Sequence, residues 1–311
     1  MMDYFVYKMY FSTPVHIGNG TLASSENTIM ADTLFSALCC ETGNQKDIDK
    51  MVYMAKNKEF ILSDAMPFIG DELYIPKPML VIKTENEGNS ILKKAFKKLK
   101  YIPVSSIDTY IKGNIDPLEQ NKKMKLLGKY GTRTMSSSID EEKMKTGDML
   151  PFHVGIYHFT EENGLYFFAG FENDEQKQFF EELFLSLSYT GIGGKRSSGF
   201  GKFDFCVEDI PPNIKNRIGI CKNQFMTLSV SMAQQNELEK SLQNARYLLT
   251  KRSGFIFSET YAQTMRKRKD FYCFKSGSCF TNAFQGDVFD VSGNGNHKVY
   301  RYAIPLFMEV K

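Results

Sequence analysis

T-G-I-G-G-K-R-S-S-G-F-G, from Thr190 to Gly201, sets five glycines among Lys195, Arg196, Ser197 and Ser198. Glycine lets a backbone come close to a ligand, and cations with hydroxyls supply what phosphate oxygens seek. The segment reads as a polyanion cradle, with Gly191, Gly193, Gly194, Lys195, Arg196, Ser197, Ser198 and Gly199 as candidate contacts. Its flanks decide the fold. Phe179, Phe180, Leu183, Phe184 and Leu187 mark one apolar helix face before it, and Phe203, Phe205 and Val207 alternate as a strand after it. Helix, loop, strand is the reverse of the order in nucleotide-binding loops. A Walker A loop also needs Ser or Thr where Arg196 stands and a glycine where Tyr189 stands. A dinucleotide fingerprint begun at Gly191 needs a glycine at Arg196. ATP and NAD are poor candidates, and no cofactor is expected.

Outward from the loop, Tyr4 to Phe11 reads as a strand and Pro14 to Gly20 as a turn region. Asp32 is placed to cap a helix running to about Glu41. Phe60 to Ile82 reads as short strands between Pro and Gly turns, and Asn173 opens the next helix with Gln176 completing a capping box. Strand, helix, strand, strand, helix, strand is the order of a ferredoxin-like unit, interrupted by an insertion from about residue 90 to 164. The insertion is lysine-rich and too polar to build a core of its own. It leads through Lys129 into G-T-R-T-M-S-S-S, where Arg133 and Thr134 sit among small polar residues suited to phosphate contact. For Lys93 to Lys100 a solvated helix face is the simpler reading. After the P-P-N linker at Pro211 a second unit is expected, with strands at Phe225 to Met232 and Val299 to Val310, the latter kept near an edge by Pro305. Arg266, Lys267 and Arg268 stand beside Phe271, Tyr272 and Phe274. They form either a single-strand binding platform or an exposed turn next to a buried strand face.

With its helix before and strand after, the glycine loop resembles that of the RAMP superfamily of CRISPR-associated RNA-binding proteins. The opening Y-K-M-Y-F-S-T-P-V-H-I-G-N-G and A-D-T-L-F-S-A-L-C-C-E, with the closing G-D-V-F-D-V and V-Y-R-Y-A-I-P-L-F, is similar to the Cas5-group subunits of type III-A (Csm) effector complexes, the fourth Csm subunit. The resemblance implies an α+β protein of two ferredoxin-like (RRM-like) RAMP domains, residues 1–210 and 211–311, with a β-hairpin thumb inserted in the first. It also implies a noncatalytic subunit that holds the 5′ repeat-derived tag of a guide RNA. Its expected partners are the large polymerase/cyclase-like subunit, the adjacent backbone RAMP subunit and, through the complex, target RNA. His16, Gly18, Asp32 and Arg252 then join the loop, Arg133, Thr134 and Arg266 to Arg268 as candidate RNA contacts.

Composition narrows the partners. The 311 residues carry a net charge of only +3, so an RNA site has to come from local clustering of cations. With 26 Phe and 16 Tyr there is ample core material and a surplus for stacking. Asp3 and Lys8 interrupt the first apolar run, and no stretch approaches a membrane span. A cytoplasmic protein with no membrane partner is expected. The six cysteines include no C-x-x-C pair, which favours reduced thiols over a metal. Among the four histidines, His16 lies in a glycine-bounded loop after the first strand. A metal-independent RAMP endoribonuclease that processes precursor guide RNA would use such a histidine as general acid or base, whereas the resemblance makes it part of the loop architecture. Asp32 offers cleavage or capping in the same way. A protein-only scaffold is the third possibility, and the glycine loop argues against it.

Overall fold

The computed structural model describes residues 2–82, 90–135, 151–258 and 260–311. Its centre is an antiparallel sheet built on β1 (Asp3–Phe11), which lies between β8 (Asn163–Phe171) and β9 (Phe203–Asp209). β2 (Phe60–Leu62) and β3 (Met66–Ile69) both pair with β8, and β4 (Glu72–Pro76) and β5 (Tyr101–Pro103) extend the sheet beyond β3. Helices α1 (Ala31–Glu41) and α2 (Gln45–Lys56) fall between β1 and β2. After α3 (Ser90–Lys98) and the short α4 (Ile107–Ile111) and α5 (Pro117–Lys123), helix α6 (Asp174–Thr190) joins β8 to β9. Asn173 caps α6 with Gln176 as its reciprocal partner, as the sequence predicts.

Phe60, Phe167, Phe171, Phe180 and Phe184 cluster around or near Tyr7, whose ring is stacked 5.2 Å from Phe167. Val6, Tyr7, Lys8 and Met9 are all buried, so β1 is covered on both faces and lacks the clean alternation of a half-exposed strand. Lys8 pairs there with Glu208 at 2.9 Å, its Nζ lying over the Phe68 ring.

Several expectations need correction. The two sides of Pro211 share a core. One apolar cluster contains Val6, Leu34, Leu62 and Phe168 together with Met226, Leu228, Val230, Tyr302, Ile304 and Leu306. The expected strand from Phe225 to Met232 is Phe225–Thr227, and Val299 to Val310 holds two strands, Tyr300–Tyr302 and Phe307–Glu309. Between the two lies Pro305, which has no N–H to offer a ladder. The insertion is not a polar excursion throughout, since β5 belongs to the main sheet and Ile102, Val104, Ile107, Tyr110 and Ile115 enter the main core. Its later part forms a two-stranded antiparallel ladder, β6 (Gly128–Met135) against β7 (Phe152–Phe159).

Asp32 is not the cap of α1. The N-cap position is Met30, and the first helical N–H, that of Ala31, donates to the Asp64 carboxylate at 2.8 Å. A side chain from the loop after β2 therefore supplies the cap, and Asp32 is released for another purpose.

Candidate nucleic-acid interface

The glycine loop is fastened mainly to its own protein. Gly201 N–H donates to Pro14, Ile192 N–H to Gly201 and Gly194 N–H to His16, at 2.8, 2.9 and 2.8 Å. A Cβ on Gly193 would stand 2.5 Å from the His16 carbonyl oxygen, and one on Gly201 would stand 2.0 Å from that of Ile192. These glycines serve close approach of the loop to residues 14–16 and to itself. His16 is buried, and its Nδ1 donates to the Gly155 carbonyl at 2.6 Å. A carbonyl only accepts, so Nδ1 carries the proton. His16 thus ties the loop to β7.

The cations are differently disposed. Lys195 sits in the left-handed region at φ 63° with its ammonium 4.7 Å above the Phe152 ring. Arg196 pairs with Glu41 at 3.1 Å and lies 5.1 Å over the exposed Phe257 ring. Arg133, on β6, stacks over Phe200 at 5.4 Å, and Thr134 shares a hydrogen bond with His153 across the ladder. The β6–β7 ladder therefore packs against the glycine loop toward its Met135–Phe152 end.

Beside the loop opens a cleft of about 740 Å³. Lys100, Lys195, Arg196, Lys251, Arg252, Arg268, Lys275 and Arg301 line it, against Glu26 and Asp64 as its only carboxylates among the described lining residues. A chain of nearly balanced charge thus gathers a strong local excess of cations. Under the floor, Asp32 accepts two hydrogen bonds from Arg252, both at 2.9 Å, and another from Arg301. Burial alone would raise the Asp32 carboxyl, yet Arg252 and Arg301 hold it below the usual carboxylate range. Burial, and then the charge of Arg301, pull Arg268 down to about 10.

Of the candidate contacts, Gly18, Gly193, Gly194, Lys195, Arg196, Ser197, Arg252 and Arg268 line this cleft. His16, Gly191 and Asp32 hold it from behind, and Arg133 and Thr134 stand on the adjoining ladder. Ser198 and Gly199 are on the outer turn of the loop. Arg266 and Lys267 are exposed and run beside Phe255 and Ile256. Phe274 is buried and Phe271 half-buried, so of the aromatic platform expected next to them Tyr272 alone is exposed, and Phe255 and Phe257 add exposed rings on the neighbouring segment. Lys251, Lys275, Arg301 and Phe257 were not legible as site residues, because each reaches the cleft only through the tertiary fold. Among the described residues there is no cluster of three or more His, Cys, Asp or Glu side chains able to hold a metal ion, and no helix is long and apolar enough to cross a membrane.

Asp64 makes the electrostatics testable. Burial pushes its carboxyl up to about 6, although the N–H groups of Ala31 and Val230 donate to it. Between about pH 4 and 6 the folded chain binds a proton there that the unfolded chain lacks, so this group costs stability as pH rises through that window. Asp64→Asn keeps an Oδ1 acceptor for both donors. It is expected to be more stable than the parent at pH 7 by about 2–3 kcal/mol, with roughly half of that advantage gone at pH 5. Urea unfolding at the two pH values checks this, and an equal difference at both contradicts it.

A RAMP superfamily profile matches residues 8–204, and a profile of the CRISPR Csm4 C-terminal domain matches residues 221–310. The class is that of RAMP proteins. The CRISPR system protein Csm4 of Mycobacterium tuberculosis H37Rv is 33% identical over 296 residues, 94% of this chain and 93% of the relative. Csm4 of Streptococcus thermophilus is 32% identical, covering 98% and 99% of the two chains. The chain belongs to the Csm4 family. In fold it is similar to a chain of the crystal structure of the Csm3–Csm4 subcomplex of the type III-A CRISPR-Cas interference complex, with a TM-score of 0.64, 16% identity and 98% of both chains covered. A chain of the Csm1–Csm4 cassette with AMPPNP matches at a TM-score of 0.58, also at 16% identity and 98% coverage of both.

Proposed function

We propose that this chain is a noncatalytic RNA-binding subunit of a type III-A CRISPR effector complex in the cytoplasm, holding the 5′ repeat-derived tag of the guide RNA in the cleft beside the glycine loop. The carrying observation is the cleft itself, which draws eight cations and two carboxylates from a chain whose overall charge is nearly balanced. Phosphate contacts supply affinity, and splayed bases stacked on Phe257 or hydrogen-bonded at their edges supply specificity. We read the N-terminal unit as ferredoxin-like, because β9, β1, β8 and the β2–β3 pair lie in that order across the sheet. The β6–β7 ladder is read as the thumb, with Arg133 near the guide, and residues 211–311 as the second ferredoxin-like unit. Solved structures of relatives with Csm3 and with Csm1 support a place between a backbone subunit and the large polymerase-like subunit, with target RNA met through the complex.

Lys195→Ala with Arg196→Ala is expected to weaken guide binding across sequences and to flatten its salt dependence. Each lost single-strand phosphate contact removes about 0.7 from the log–log slope. Arg196 is already paired with Glu41, so Lys195 carries the larger share. Filter binding over a salt series measures both quantities. A folded double variant with unchanged affinity and slope ends the assignment.

A further inference from the structure

Arg301 is 2% exposed, and while one of its nitrogens donates to Asp32, Nε and Nη2 have no partner among the described residues. The same holds for Nε of Arg268, whose Nη2 donates to the Phe255 carbonyl at 3.2 Å. Both side chains line the cleft. One firmly ionised carboxylate, Asp32, thus faces three guanidiniums. Asp64 adds a second carboxylate, but it is engaged by the N–H groups of Ala31 and Val230 and bonds to none of the three guanidiniums. A buried guanidinium with unused donors is unfavourable unless an acceptor reaches it, and an anion is the acceptor that also balances its charge.

Resting on the guide-RNA reading above, we propose that the cleft floor is a subsite for a single phosphate group of the bound strand. Arg301 and Arg268 grip the phosphate oxygens, and Asp32 is the positioning residue that fixes the guanidiniums. The planar fork of arginine fits phosphate oxygens in pairs. Lys275 and Ser276 line the cleft beside it and add donors of the same kind.

Arg268→Gln is the informative variant, because it removes a cation that is not bonded to Asp32 and so strands no carboxylate. The free full-length variant is expected to melt at or above the temperature of the parent, yet to bind tag RNA about tenfold or more weakly. Those opposite signs distinguish ligand contact from a structural role. Tag RNAs carrying one uncharged methylphosphonate linkage at successive positions locate the phosphate. One position should lose affinity in the parent, with the loss vanishing in Arg268→Gln and in Arg301→Lys, which keeps a donor for Asp32. Inorganic phosphate should raise the melting temperature of the parent and not of Arg268→Gln. Should the parent bind tag RNA no better than scrambled RNA while phosphate still protects it selectively, the guide reading falls and the anion subsite stands with free phosphate as its ligand. Should tag RNA bind parent and variants alike, with no linkage singled out and no protection by phosphate, the subsite falls and the guide reading stands.

Discussion

Asp32→Ala is expected to destabilise the protein by about 3–5 kcal/mol, because it leaves two buried guanidiniums with no carboxylate between them. Against a usual total of about 5–15 kcal/mol, such a loss puts folding itself at risk. Asp32→Ala with Arg301→Met should recover part of it, since an apolar replacement for both members of a buried pair is tolerated far better than the loss of one. The sign with pH follows from the depressed carboxyl of Asp32. Its stabilisation is present above the ordinary carboxylate range and is lost only as pH falls through the lower value it has in the folded chain. Urea titrations at pH 7 and pH 5 should therefore show the full penalty of Asp32→Ala at both. A penalty below about 1 kcal/mol, within the range of exposed ion pairs, contradicts the buried arrangement.

Gly201→Ala is the second large effect. The new Cβ would fall 2.0 Å from the Ile192 carbonyl oxygen and 2.9 Å from its nitrogen, both backbone atoms that cannot swing aside. Gly201 also sits at φ 75°, which costs an L-residue about 1–2 kcal/mol before any overlap. We expect a loss of about 3 kcal/mol or more, beyond the range of ordinary substitutions, with a displaced loop and guide binding lost in whatever folds. Gly199→Ala is the control. Its φ of 82° is similar, but nothing lies within 4 Å of the added carbon, so the penalty stays near 1–2 kcal/mol. Thermal melts of the two variants side by side separate overlap from backbone preference, and equal losses would show that packing around Gly201 is looser than described.

The elements that sequence periodicity made legible are the long ones. β1, α6 and β9 carry enough apolar repeats to declare themselves, and the Asn173–Gln176 box marks where α6 begins. Three-residue strands such as Phe225–Thr227 carry no period, which is why the second half was overextended. Capping chemistry misled at Asp32 for a related reason. An aspartate at the start of an apolar run is a local signal, while its true partners, Arg252 and Arg301, are 220 and 269 residues away. The candidate site was half visible. Its glycines and loop cations adjoin one another in sequence, but Lys251, Lys275 and Arg301 come from strands and turns that only the closed fold brings to the cleft. Lys100 was absorbed into a run whose other members, Lys93, Lys94, Lys97 and Lys98, are exposed on or beside α3.

The core shared across Pro211 has a consequence for synthesis on the ribosome. Leu62 N–H donates to the Tyr302 hydroxyl, Asp64 accepts from Val230, and Asp32 waits for Arg301. When the central sheet has emerged, its buried polar groups still lack partners encoded in the last hundred residues, which take about 5–20 s to translate. A nascent chain at that stage is an incomplete fold with an open apolar face, and final closure comes with the strands around Tyr302 and Met308. Premature termination there costs the cell the whole subunit, the glycine loop included.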